Sequence, residues 1–289
     1  MTSEYVGIDL GGTKTIVACT DEKGKIIRQA RENTPVALKD GINMLTRMVR
    51  EVSPSPTSIG CACGGPLDYR NGVVSPLHMP QWRNVPLKET MEKEFNCPFR
   101  VDVDTNAAAL GEYYFGEAGN YRNFIYITLS TGMGAGKLIN GKIYRGLGHP
   151  EMGHQSFAAA LRHARDGFDL SRHRCECGAI GCLESFVSGN AIRIIYGKPA
   201  EEISGADIIN EIAANLGEGL RNIIALHSPD AIFIGGGVAY GLGEKLLMPA
   251  IGAAKNNLKI VPVPAIRLAS LGYDSALMGS IALAINGEN

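Results

Sequence analysis

The chain has 289 residues, 45% hydrophobic and 20% charged, the balance of a globular protein able to bury one large core or two moderate ones. Lys plus Arg number 28 against 29 Asp plus Glu, so no overall basic field draws it to nucleic acid or an anionic membrane. No apolar run approaches the roughly 20 residues that span a bilayer, and the opening "MTSEYVGIDLGG" lacks the basic-then-apolar order of a secretory leader. The expectation is a cytoplasmic protein in a reducing compartment, whose seven cysteines form no disulfide framework. Cys19 and Cys97 read as buried thiols.

In chain order, β-rich runs at 5–9 and 13–20 flank Gly11 and Gly12, which reads as a hairpin. A turn at 21–24 leads to a third strand, 25–28. Ile42, Leu45, Met48, Val49 and Val52 then have helical spacing over 40–51, and "SIGCAC" (58–63) returns as a strand. In "DVDTNAAALGE" (102–112) a strand ends at Val103 and an Ala-rich helix begins near Thr105. Asp104 at that junction has the ordinary role of a helix N-terminal residue, where the helix keeps its carboxylate ionised: a competent proton acceptor, though a weak base.

"FIYITLSTGMGAGKLINGKIYRG" (124–146) repeats the opening pattern of strand, glycine turn, strand, short turn, strand. Both third strands begin Gly-Lys-Ile. The weak self-similarity predicts two related lobes with a ligand cleft between them. The last third is mostly helical, with Ile208, Ile212, Leu216, Leu220 and Ile223 on one face. There "AIFIGGGV" reads as a strand feeding a helix through three glycines.

Three glycine turns of different type suggest a polyphosphate held by backbone N–H groups. The candidates are Asp9, Gly11, Gly12, Thr13 and Lys14 in the first, Thr131, Gly132 and Gly134 in the second, and Gly235, Gly236 and Gly237 in the third. Asp9 would hold a Mg²⁺ or its waters. None of the three matches the P-loop or the dinucleotide fingerprint.

"RCECGAIGCLES" (174–185) sets Cys175, Cys177 and Cys182 at Cys-x-Cys-x₄-Cys spacing. A redox pair wants Cys-x-x-Cys at a helix start, which is absent. Tetrahedral Zn²⁺ wants a fourth ligand, and the spacing leaves several histidines open, His163 and His173 among them by proximity.

"GIDLGGTKT", "DTNAAALGE", "STGMGAG", "GHPEMGH" and "CECGAIGCLES", in this order, resemble the ROK family of sugar kinases in the actin-like ATPase superfamily. The resemblance runs from Val6 to the end of the chain. It implies an α/β, actin-like (ribonuclease H-like) two-lobe fold. The small lobe would span 1–117 and be joined by the C-terminal helix 274–289, with the large lobe over 118–273. It implies an ATP-dependent hexose kinase that is usually a homodimer, with ATP and Mg²⁺ against the glycine turns. Asp104 would be the catalytic base and would contact the sugar together with Gly65, Glu151, His154 and Glu184. His154 would complete a structural zinc site with Cys175, Cys177 and Cys182.

The chain also departs from the family. Val103 stands where Asn is usual before the base and so loses a sugar contact. His78 in "SPLHMPQW" stands where Asn is usual, and Gly64 replaces the first Pro of a Pro-Gly-Pro turn. His149-Pro150 resembles a fructokinase subset and tilts the expectation slightly toward a ketose or an unusual hexose. Sugar-binding repressors of the family carry a helix-turn-helix before the kinase-like part. The phosphate hairpin begins at Tyr5, which leaves no room for one.

Overall fold

The structure is a computed structural model and describes residues 3–156 and 174–287. The chain divides into two compact units: Met1–Asn120 with Gly141–Ile143 and Asp274–Asn289, and Tyr121–Asn140 with Tyr144–Tyr273.

The first unit is built on β1 (Tyr5–Leu10), β2 (Lys14–Thr20), β3 (Ile26–Asn33) and β4 (Ser58–Cys63), with α1 (Leu38–Val52) between the last two. Short strands β5 (Leu67–Asp68), β6 (Val73–Val74) and β7 (Val85–Pro86) form a small sheet of their own. Then follow α2 (Leu87–Phe95), β8 (Phe99–Val103) and α3 (Asp104–Tyr114). The main sheet has the order β3-β2-β1-β4-β8. Its first three strands are antiparallel and β1, β4 and β8 run parallel.

The predicted hairpin stands: Gly11 N–H donates to the Lys14 carbonyl at 3.1 Å. β3 runs to Asn33, beyond the expected 28. This edge strand buries no full apolar face, so pairing with β2 extends it without an alternating pattern to betray its length. α1 buries Gly41, Met44, Leu45, Met48, Val49 and Val52 at helical spacing. Gly41 lies under the ring of the sole tryptophan, Trp82, where a Cβ would strike it.

The second unit has β9 (Phe124–Leu129), β10 (Met133–Ile139), β11 (Lys142–Ile143, grouped with the first unit), β12 (Ala231–Gly235) and β13 (Ala265–Leu268) in its stretch of chain. Its sheet runs β10-β9-β12-β13. β9 pairs antiparallel with β10, and β12 pairs parallel with both β9 and β13. Short helices α4 (Glu184–Val187) and α5 (Gly189–Tyr196) precede α6 (Ala206–His227). α6 buries Ile209, Ile212, Leu216, Leu220, Ile223 and Ile224 in a core shared with β9 and β12. α7 (Gly237–Leu242) and α8 (Glu244–Asn257) follow β12. Among the described residues no helix is long and apolar enough to cross a membrane.

α9 (Ser275–Asn286) packs on β1, β4 and α3, and glycines set the approach. A Cβ on Gly7 would lie 2.6 Å from Ser280 Oγ, one on Gly60 would lie 2.8 Å from the Ala284 nitrogen, and one on Gly279 would strike the Ala107 carbonyl. Mid-helix, Gly279→Ala gains about 1 kcal/mol of helix propensity. Overpacking against backbone that cannot move aside costs about 1–3 kcal/mol, and here more than the propensity returns. Gly279→Ala should therefore destabilise the first unit by about 1–2 kcal/mol, seen as a lower urea midpoint at unchanged m-value and read through Trp82 fluorescence.

Candidate active site

In the first unit the parallel register aligns Leu10, Cys63 and Val103 across adjacent strands. The segments that follow them leave the same sheet edge side by side: the Gly11–Gly12 turn, the Gly64–Gly65 turn and the start of α3. Ligands of open α/β sheets bind at such carboxyl edges. Asp104 is the first residue of α3 and exposed, and its Oδ1 accepts the Thr105 N–H at 2.7 Å. Behind it, buried Asp102 Oδ1 accepts from the Val103 N–H at 2.8 Å and from Asn106 Nδ2 at 2.9 Å, which pins the strand-to-helix turn. Val103 itself is buried in the core. The Gly65–Pro66 peptide is cis, and the Gly65 carbonyl accepts the Leu77 N–H at 3.0 Å.

Asp9 is pushed up to about 7, first by burial and then by the nearby carboxylates of Asp104 and Asp274. Asp274, directly before α9, has no sequence signal of its own. Only the seating of α9 brings it toward Asp9. Three carboxylates that resist joint ionisation are oxygen donors suited to a divalent cation such as Mg²⁺.

In the second unit Gly235 aligns with Thr128 on the parallel β9, so the turns 130–134 and 235–237 leave the sheet together. Gly236 has φ 97° and a Cβ there would lie 2.5 Å from the Leu129 carbonyl oxygen, so only glycine fits. Tyr240, one turn into α7, donates its hydroxyl to the Gly272 carbonyl at 2.9 Å. Its ring meets that of exposed Tyr273 edge-on at 5.1 Å. Sequence reasoning missed this aromatic pair beside the triple glycine, because hydrophobic periodicity carries no sign of it.

Glu184 opens α4 and lies against the 130–134 turn: its Oε2 accepts the Met133 N–H at 2.8 Å, and a Cβ on Gly132 would come within 2.9 Å of it. Its Oε1 accepts from Cys175 Sγ at 3.2 Å. Glu151 accepts from His149 Nε2 at 2.8 Å, a bond that holds its carboxyl below the ordinary range.

His154, Cys175, Cys177 and Cys182 bring one donor each within 4.8 Å of one another. Cys177 Sγ and Cys182 Sγ are 3.6 Å apart, and Cys175 Sγ is 3.4 Å from His154 Nδ1. A tetrahedron with Zn–S of about 2.3 Å and Zn–N of about 2.0 Å has edges of about 3.5–3.8 Å. The donor set and spacing therefore fit Zn²⁺. Tight turns at Gly178 (φ 90°) and Gly181 (φ 80°) fold the loop around the centre. The competing ligands His163 and His173 lie outside the described residues.

Known proteins match this chain over nearly its whole length. The profile of the ROK family matches residues 5–286. The chain is 31% identical to a fructokinase of Zymomonas mobilis over 99% of this chain and 97% of that protein. It is also 31% identical to the xylose repressor of Bacillus subtilis, over 79% of this chain and 63% of that longer protein. A crystal structure of a ROK family glucokinase from Streptomyces griseus, in complex with glucose and AMPPNP, superposes with a TM-score of 0.80 at 28% identity, over 99% and 100% of the two chains. The chain thus belongs to the ROK family and has its actin-like α/β fold.

Proposed function

We propose that the protein is an ATP-dependent sugar kinase that transfers the γ-phosphoryl group to a hydroxyl of a hexose or hexose derivative. The reading rests chiefly on Asp104, an exposed carboxylate fixed at the start of α3, beside the Gly11–Gly12 turn and the Asp9 carboxylate. The sugar hydroxyl oxygen forms the new bond to Pγ. The bond from Pγ to the β-phosphate oxygen breaks, its electron pair leaves with ADP, and the hydroxyl proton passes to Asp104. Gly65 in the first unit and Glu151, His154 and Glu184 in the second would bind sugar hydroxyls. Asp9, Gly11, Gly12, Thr13 and Lys14 of the first unit would contact the phosphates. Thr131, Gly132, Gly134, Gly235, Gly236 and Gly237 would supply the second unit's share. Mg²⁺ bound near Asp9 would neutralise charge on the transferring group. The likeness to glucokinases and fructokinases supports an enzyme of carbohydrate metabolism, and a cytoplasmic homodimer is part of the same proposal.

The cage of His154, Cys175, Cys177 and Cys182 would hold zinc with no open coordination position, a structural role. Its link to chemistry is short, because Cys175 touches Glu184 directly. Zinc would hold the wall that carries Glu184 and His154 in shape.

A panel of hexoses and N-acetylhexosamines, assayed for ADP release with ATP and Mg²⁺, should reveal turnover with at least one sugar. Asp104→Asn should lower that rate by roughly 10²–10⁴. A zinc-loaded, folded protein silent on every sugar would instead point to a sugar-binding regulator, as in the repressor branch.

Asp9 gives a second test. Its folded value of about 7 lies above the ordinary 3.8, so the ionised form is the penalised one. Stability at this site falls as pH rises from about 4 to about 7 and stays lost above. Asp9→Asn should therefore raise Tm at pH 8, give no gain near pH 4, and abolish turnover. In the wild type, kcat/KM for MgATP should climb through pH 7 as Asp9 ionises.

Metal analysis should find one zinc per chain, and Cys177→Ser should lose it. Structural zinc is worth roughly 10–16 kcal/mol in small domains. The variant should therefore melt earlier and lose sugar turnover, yet keep nucleotide binding.

A further inference from the structure

The loop between β6 and β7 is held almost entirely by backbone carbonyls. Arg83 Nη1 donates to the carbonyls of Pro76 at 2.7 Å, Met79 at 3.0 Å and Trp82 at 3.1 Å. Leu77 N–H donates to Gly65 and Ser75 N–H to Pro66, both at 3.0 Å. One guanidinium inside the loop and two bonds to the Gly65 turn leave its backbone little freedom.

His78 is an exposed residue of this loop and lies against the Gly11–Gly12 turn. Its carbonyl oxygen and Cβ press against Gly12, where an added Cβ would stand 3.3 Å from each. The imidazole is exposed and takes part in no hydrogen bond or ion pair among the described residues. One neighbour along the loop, Leu77, is bonded to the sugar-side turn, and His78 itself touches the phosphate-side turn. A ring with a free donor, on a rigid support between these two turns, suits the group that passes between them.

We propose that His78 is a phosphoryl-contact residue, whose ring N–H donates to an oxygen of the γ-phosphate of bound ATP. The inference deepens the kinase reading and rests on it. His78 would supply what backbone amides of the turn cannot: a side-chain donor aimed at the transferring group and absent from contacts with the α- and β-phosphates. Small residues at Gly12 are part of the same device, since any side chain there would push His78 away.

The test is calorimetric titration of wild type, His78→Ala and His78→Gln with Mg²⁺ and either ADP or a non-hydrolysable ATP analogue. A donor on a charged phosphate oxygen predicts binding of the ATP analogue weakened roughly tenfold or more in His78→Ala, with ADP affinity unchanged. His78→Gln, which keeps a donor, should recover part of the loss. Equal affinities in all three proteins, or an equal loss for ADP, overturns the assignment and leaves the kinase reading intact. Failure of the wild type to bind either nucleotide would instead sink the kinase reading itself. A sugar KM that rises in His78→Ala while analogue affinity holds would make His78 a sugar contact and likewise overturn the proposal.

Discussion

Everything at the first unit's site depends on the parallel register of β1, β4 and β8. Because Leu10, Cys63 and Val103 are level across the sheet, three turns far apart in sequence emerge at one edge. Such pairing is non-local and is reached only when the helices between the strands are seated. The closest seat is α9, returned from the C-terminal end of the chain onto glycines of β1 and β4. No larger residue at Gly7 or Gly60 leaves room for that helix. The packing of α9 on these strands thus helps fix where Asp9 and Asp104 stand.

The same seat has an electrostatic consequence. Seating α9 brings Asp274 toward Asp9 and Asp104, and their mutual repulsion adds to burial in raising Asp9 to about 7. A fold selected for stability alone would not gather carboxylates in this way. The arrangement is favourable only when a cation answers the charge, which is the general logic of phosphoryl-transfer sites. Ionised Asp9 therefore lowers stability at neutral pH, a loss that a bound cation would offset.

The sequence was most legible where local chemistry dictates local geometry. Gly11 and Gly12 turned where the hairpin reading put them, α1 and α6 followed their apolar spacing, and "SIGCAC" is a strand over the expected residues. The cysteine loop was legible as a candidate because three close thiols are soft donors, and the fold sets them with His154 within 4.8 Å of one another. The edge strand β3 was read short, because edge pairing leaves no alternation. Asp274, the Tyr240–Tyr273 pair and the contact of His78 with Gly12 were invisible for a different reason. Each depends on segments brought together only by tertiary packing, and no periodicity in one segment records its neighbour. Asp102 is intermediate: its i+4 partner Asn106 is visible in sequence, but burial gives that bond its weight.

Val103 shows how a departure in sequence changes meaning once the fold is known. As a motif position it reads as a lost hydrogen bond to substrate. In the fold its side chain is enclosed at the end of β8, where an unpaired polar group would itself be costly. What the turn needs from this position is its backbone N–H, which Asp102 fixes at 2.8 Å. Valine keeps that bond and packs the strand end, so the geometry of Asp104 is preserved. In the proposed kinase, sugar recognition would fall on side chains that remain polar. Glu151 is tied to His149, and Glu184 is tied to both the 130–134 turn and Cys175. Each is already oriented by a partner, and orientation of this kind lets a few carboxylates discriminate among sugars that differ by one hydroxyl.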